Sequence, residues 1–248
     1  MEIRGNKYSV LPSGHDDIAG RGEKRSGKDL IQIEEFSLRL EVFVLTETSV
    51  TEIWEKIASQ IKAISPKTHS TLNGPATKEE LDSLSQTLNT QLPSTFCEYL
   101  FCFNGQNSGS QYGFEDDCPL LGYNYFLPVQ RILETWQMMN KLFEDEPPID
   151  WIKENKIKPV IWSPLWIPFT DYEASSRLIL DLDPGKNGAY GQVFKYFPGM
   201  DYEGESGEGY DVIIASSFEE FSDHTLRRLT AKEFSLKDDV IEFQGTFL

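Results

Sequence analysis

The chain has 248 residues, 39% of them hydrophobic and 12% aromatic, with a formal net charge of −17. That length suits one large domain, or one domain of middling size with an appendage, and the apolar content suffices for a core. The charge argues against nucleic acid and anionic membranes as partners, because phosphate binding needs a basic surface; no apolar run reaches the roughly 20 residues of a membrane helix.

Residues 1–29 are rich in Gly, Ser, Lys, Arg and Asp and poor in apolar groups. Too little apolar surface is present to offset ordering entropy, so a flexible or loosely docked arm is expected. The opening Met-Glu-Ile-Arg-Gly-Asn-Lys has no apolar h-region, which predicts a cytoplasmic protein. Leu38, Leu40, Val42 and Val44 then alternate with their neighbours, the period-two pattern of a strand.

Helical spacing begins near Val50. Ile53, Trp54, Ile57, Ile61 and Ile64 fall on one face, and Pro66 closes the helix. In "TKEELDSLSQTLN", Thr77 with Glu80 forms a capping box before the stripe Leu81, Leu84 and Leu88. "LPSTFCEYLFCFNGQ" offers Ser94 as an N-cap, Phe96, Leu100 and Phe103 as a buried face, and Asn104-Gly105 as a stop. A fourth helix is expected from Pro128, with Val129, Ile132, Trp136, Met139 and Phe143 inward and Pro147-Pro148 as its end.

The second half reads as strands. "WIPFT", "RLILDLD", "QVFKYF" and "DVIIA" are short, rich in β-branched and aromatic residues, and separated by turn residues. "SSFEEFSDHTLRRL" fits a last helix capped by Ser216 or Ser217; the residues after Thr230 suggest no element. Helices first and strands later give an α+β fold, a largely antiparallel sheet with helices packed on one face, plus an N-terminal extension.

Two features could carry chemistry. In "LDLDPGKNGAYG", Asp181 and Asp183 would share one strand face, with Leu178, Leu180 and Leu182 on the other. Such a pair can meet glycosidase spacing, but it equally suits a solvent-facing edge that leads into a turn. Glycines 185, 188 and 191 do not make a P-loop and open no helix, so a hairpin around Asn187-Gly188 is the better reading. The run "DYEGESGEGYD" spaces Asp201, Glu203, Glu205, Glu208 and Asp211 with Gly and Ser. It lacks the EF-hand pattern, which favours a solvated loop or a contact surface over a calcium site. His15, His69 and His224 lie in separate segments, and Cys97, Cys102 and Cys118 match neither a disulfide framework nor a zinc site. No cofactor is expected. A strongly acidic surface can steer a basic protein, or it can serve solubility alone.

"GPATKEELDSLSQTLNTQLPSTFCEYLFCFNGQN", "WIPFTDYEASSRLILDLDPGKNGAYGQVFKY" and "SSFEEFSDHTL" stand in the order of the signature segments of the SUKH superfamily, which the chain resembles from about Val50 to Leu229. Glu173-Ala174-Ser175-Ser176 depart from it, standing where the family often has glycines and an Asp. The resemblance divides the chain into an extension at 1–47, a SUKH-like domain at 48–230 and a tail at 231–248. It implies an α+β domain that binds protein and carries no catalytic residues. Bacterial members look like immunity proteins against secreted toxins, often nucleases; fungal members act as scaffolds in cell-wall and signalling control. The expectation is thus a non-enzymatic module neutralising a basic toxin, with Asp201, Glu203, Glu205, Glu208 and Asp211 as its partner-binding residues. The alternatives are a regulatory scaffold, which the polar arm would suit, and a hydrolase using Asp181 and Asp183.

Overall fold

The structure is a computed structural model that describes residues 48–107, 118–146, 148, 155–171, 176–197 and 213–244. The chain divides into two units, Met1–Glu47 and Thr48–Leu248, and every described residue belongs to the second. The strand expected near Leu38 lies outside the described residues.

Helix α1 (Val50–Ile64) starts where the Ser49 hydroxyl accepts the Glu52 N–H, and it buries Val50, Ile53, Trp54, Ile57, Ala58 and Ile61. Pro66 is the expected boundary, but it also opens a short helix, α2 (Pro66–Ser70). Proline suits a first helical turn, where its missing N–H would have no partner. Helix α3 (Lys78–Leu88) carries the predicted capping box, Thr77 with Glu80, and buries Leu81, Leu84 and Leu88.

Helix α4 (Ser94–Cys102) corrects one expectation. Pro93, not Ser94, is the N-cap, and no side chain caps the helix. The Pro93 carbonyl accepts the N–H groups of Phe96 and Cys97, so Ser94 already lies inside the first turn. Beyond α4, Gly105 has φ +60°, and a Cβ there would lie 2.4 Å from the Leu127 carbonyl carbon. Helix α5 (Val129–Leu142) ends at Phe143, before the two prolines. The carboxylates of Glu144, Asp145 and Glu146 oppose the helix dipole at that end and do not favour another turn.

The four-stranded antiparallel sheet comprises β2 (Trp166–Pro168), β4 (Arg177–Asp181), β5 (Gln192–Tyr196) and β6 (Ile213–Ala215), in the order β2-β4-β5-β6. Two short pairs form separate two-stranded sheets: β1 (Tyr125–Phe126) with β3 (Thr170–Asp171), and β7 (Phe234–Lys237) with β8 (Val240–Phe243). Helix α6 (Phe218–Ala231) is capped by Ser217, whose hydroxyl accepts the Glu220 N–H. The fold is α+β with antiparallel sheets, as the sequence indicates.

Strand alternation sorts the side chains into two clusters. Ile167, Leu178, Leu180, Leu182, Val193 and Ala215 join the core shared with α1, α3, α4 and α6. Within it, the Trp54 ring lies 4.7 Å from Tyr99 and 5.6 Å from Phe126, and its Nε1 donates to Ser222 Oγ at 2.9 Å. On the opposite face Trp166, Ile179, Phe194 and Tyr196 pack against Met139 of α5 and against Ile157 and Trp162. That face is therefore covered too, by the end of one helix and the loop segment before β2. The residues after Thr230, to which the sequence assigns no element, form the β7–β8 hairpin, and its Ile241 and Phe243 enter the main core.

Candidate functional site

Strand β4 is flanked on both sides, by β2 and β5, so Asp181 is not on a solvent-facing edge. It pairs with Trp166 and with Gln192 across the sheet and has no exposed surface. The Gln192 Nε2 donates to its Oδ2 at 2.7 Å, and the Asp183 N–H donates to its Oδ1 at 2.9 Å. Burial is the largest influence on this carboxyl and pushes its pKa up to about 6, against the pull of those two donors. The nearby Asp183 charge pushes it up further, and the Trp166 indole N–H gives a small pull downward.

Asp183 lies two residues on, past the end of the strand. Its Oδ2 accepts from Lys158 Nζ and from Ser163 Oγ, both at 2.6 Å. The two aspartates thus fasten different things. Asp181 fixes the hairpin to itself, and Asp183 fixes the hairpin to the 155–165 segment. Both Asp181 oxygens and the Asp183 Oδ2 accept from protein donors, an arrangement that ties strands together and, with Asp181 fully buried, offers that carboxylate to no substrate.

The loop between β4 and β5 has the hairpin role expected, by a different geometry. Ten residues, 182–191, separate the paired ends Asp181 and Gln192, and the tight turn within them closes through the Gly188 N–H donating to Gly185 O at 2.9 Å. Asn187-Gly188 therefore does not form a two-residue connection. Its backbone is pressed onto the neighbouring segment instead: the Gly185 N–H donates to Lys156 O and the Asn187 N–H to Asn155 O. A Cβ at Gly185 would fall 2.3 Å from Asn155 O, and one at Gly188 would fall 2.0 Å from Lys156 O. These glycines are required by close backbone approach. Gln192 completes the clasp, its Nε2 donating also to Lys156 O and its Oε1 accepting the Ala189 N–H. Sequence reasoning missed Gln192, Ser163 and Lys158, because no local pattern reports a contact between segments some 25 residues apart.

A pH test rests on Asp181. Its folded pKa, about 6, lies above the unfolded value of about 3.9, so the native state holds the proton more tightly. Stability from this group is complete below pH ~4 and is lost as pH rises through ~6, to the extent of about 3 kcal/mol. The difference in unfolding free energy between the native protein and Asp181→Asn is expected to change by about 2 kcal/mol of this between pH 4 and pH 7. Urea titrations across the range measure it; a difference independent of pH would mean that the carboxyl titrates normally.

The other candidates do not assemble. His69 and His224 sit on α2 and α6, and Cys97, Cys102 and Cys118 are free thiols. Burial first, then the nearby Glu98, raises the pKa of Cys97; burial leads for Cys102 also, so neither is an activated nucleophile. No group of three His, Cys, Asp or Glu that could hold a metal occurs among the described residues. None of the described helices is long and apolar enough to cross a membrane. Asp201, Glu203, Glu205, Glu208 and Asp211 lie outside the described residues, as do His15 and 173–175.

No curated protein matches the chain. Among known families, residues 75–224 match the SMI1/KNR4 family (SUKH-1). The matched span begins just before α3, includes the whole Asp181–Asp183 clasp and ends within α6. Domains of this family are in general non-catalytic and of the immunity or regulator type. With well over half of its length matched and its segments in order, the chain belongs to the SMI1/KNR4 family (SUKH-1).

Proposed function

We propose that this protein neutralises a basic toxin, such as a nuclease, by binding it through an acidic surface. The net charge of −17 on a member of this family is the observation that supports the reading. A nuclease must carry positive charge to hold phosphate, and an acidic inhibitor both steers toward that charge and occupies it. Asp201, Glu203, Glu205, Glu208 and Asp211 concentrate five carboxylates within eleven residues and are proposed as part of the contact.

The test is kinetic. Charges at the edge of an interface act mainly on association rate, and salt screens them over a Debye length of about 8 Å at physiological ionic strength. Association with the product of the neighbouring gene is expected to slow as salt rises. Replacing Asp201, Glu203, Glu205 and Glu208 by Asn or Gln is expected to slow it further, with little change in melting temperature. Stopped-flow mixing measures both. A rate indifferent to salt and to the substitutions would leave the acidity with a role in solubility only.

A further inference from the structure

Most of the large apolar side chains exposed on the described surface are scattered, but two are not. Met138 and Leu142 lie one turn apart on α5 and are 50% and 61% exposed. They belong to the solvent stripe of that helix, formed by Gln130, Glu134, Gln137, Met138, Lys141 and Leu142. Its first half is polar, as a solvated face should be. Its second half presents a thioether and an isobutyl group to water, at a cost that burial would recover.

The residues just past the helix set the sign of the charge there. Glu144, Asp145 and Glu146 are exposed and take part in no ion pair among the described residues. They stand at the carbonyl end of α5, where the helix dipole is already negative. Lys141 is the single basic residue in the last turn. Three carboxylates beside one lysine make this end of the helix locally acidic. A cationic neighbour would be attracted to it, and an apolar group on the same neighbour would cover Met138 and Leu142. Methionine suits such a contact because its flexible, polarizable side chain adapts to the shape it meets.

We propose that the C-terminal end of α5, Met138 and Leu142 beside Glu144, Asp145 and Glu146, is a docking surface for a basic protein segment that carries an apolar anchor. This rests on the reading that the protein binds a basic partner, and it adds where part of that partner sits and what side chains it must present. Such pairing of an amphipathic segment with an apolar patch bordered by opposite charge is a general mode of peptide recognition.

The full-length protein can be titrated with two synthetic peptides of equal length and charge, one an amphipathic helix of Lys and Leu, the other with every Leu replaced by Gln. The Lys/Leu peptide is expected to bind about tenfold more tightly, as burial of two apolar side chains would give. The double variant Met138→Ser, Leu142→Ser should remove that preference. The triple variant Glu144→Gln, Asp145→Asn, Glu146→Gln should weaken both peptides and flatten their salt dependence. All five side chains are exposed, so unchanged melting curves would confirm that the fold is intact. If both variants keep the native preference and salt slope, α5 is not the surface, while the basic-partner reading stands. If neither peptide binds the native protein at low ionic strength, that reading falls as well.

Discussion

Trp166→Ala is expected to lower stability by about 3–5 kcal/mol, the usual cost of deleting a buried large aromatic side chain. Domains of this size hold only about 5–15 kcal/mol in total. The site has little capacity to collapse around the cavity. Trp166 has no exposed surface, and its ring lies 5.1 Å from Phe194, 5.8 Å from Trp162 and 6.0 Å from Tyr196. Those rings come from β5 and from the segment before β2, and each is held by the sheet or by its own hydrogen bonds; the Tyr196 hydroxyl, for example, donates to Ile161 O at 3.0 Å. Urea or thermal unfolding measures the loss. A near-native transition would mean that the second face of the sheet contributes little to stability.

Gly188→Ala is expected to cost about 1–3 kcal/mol or more, the usual range for forcing an atom into closely packed space. Its added methyl would meet Lys156 O at 2.0 Å and Pro184 Cβ at 2.8 Å. The first of these is backbone, so no side-chain rotation relieves the clash. The 155–165 segment would have to lift from the hairpin, taking with it the Lys156 carbonyl that accepts from Gly185 and Gln192. Gly74→Ala is the control, because nothing lies within 4 Å of a Cβ built there, and it is expected to be near neutral. Equal effects of the two substitutions would show that Gly188 acts through chain flexibility and not through close packing.

These two residues lie on either side of what is legible in the chain alone. The side chains of α1, α3 and α6 declare themselves locally. Ile53, Trp54, Ile57 and Ile61 repeat at helical spacing, Thr77 and Glu80 sit three apart, and Ser217 precedes Phe218; all are short-range relations within one turn or two. The strand runs around Trp166, Leu178 and Val193 are also local, since alternation fixes which residues share a face. Ser94 is less legible, because a proline immediately before a good capping residue can take the cap position itself.

The roles of Asp181 and Asp183 are a different matter. The sequence places them two residues apart before a glycine-rich loop, and that spacing is compatible with an acid pair, an exposed turn or a buried clasp. Only the pairing of β4 between β2 and β5 puts Asp181 inside, and only the approach of the 155–165 segment gives Asp183 its lysine and serine. Likewise the mixed residues after Thr230 form a hairpin because Ile241 and Phe243 find a core to enter, not because of any strong local preference. The sequence by itself determined the five longer helices, the central strand segments, the acidity and the family, since these depend on composition and on spacing over a few residues. The tertiary structure decided which carboxylates are buried, which glycines tolerate no side chain and which apolar pair stays in water, because each of these depends on contacts between segments far apart in the chain.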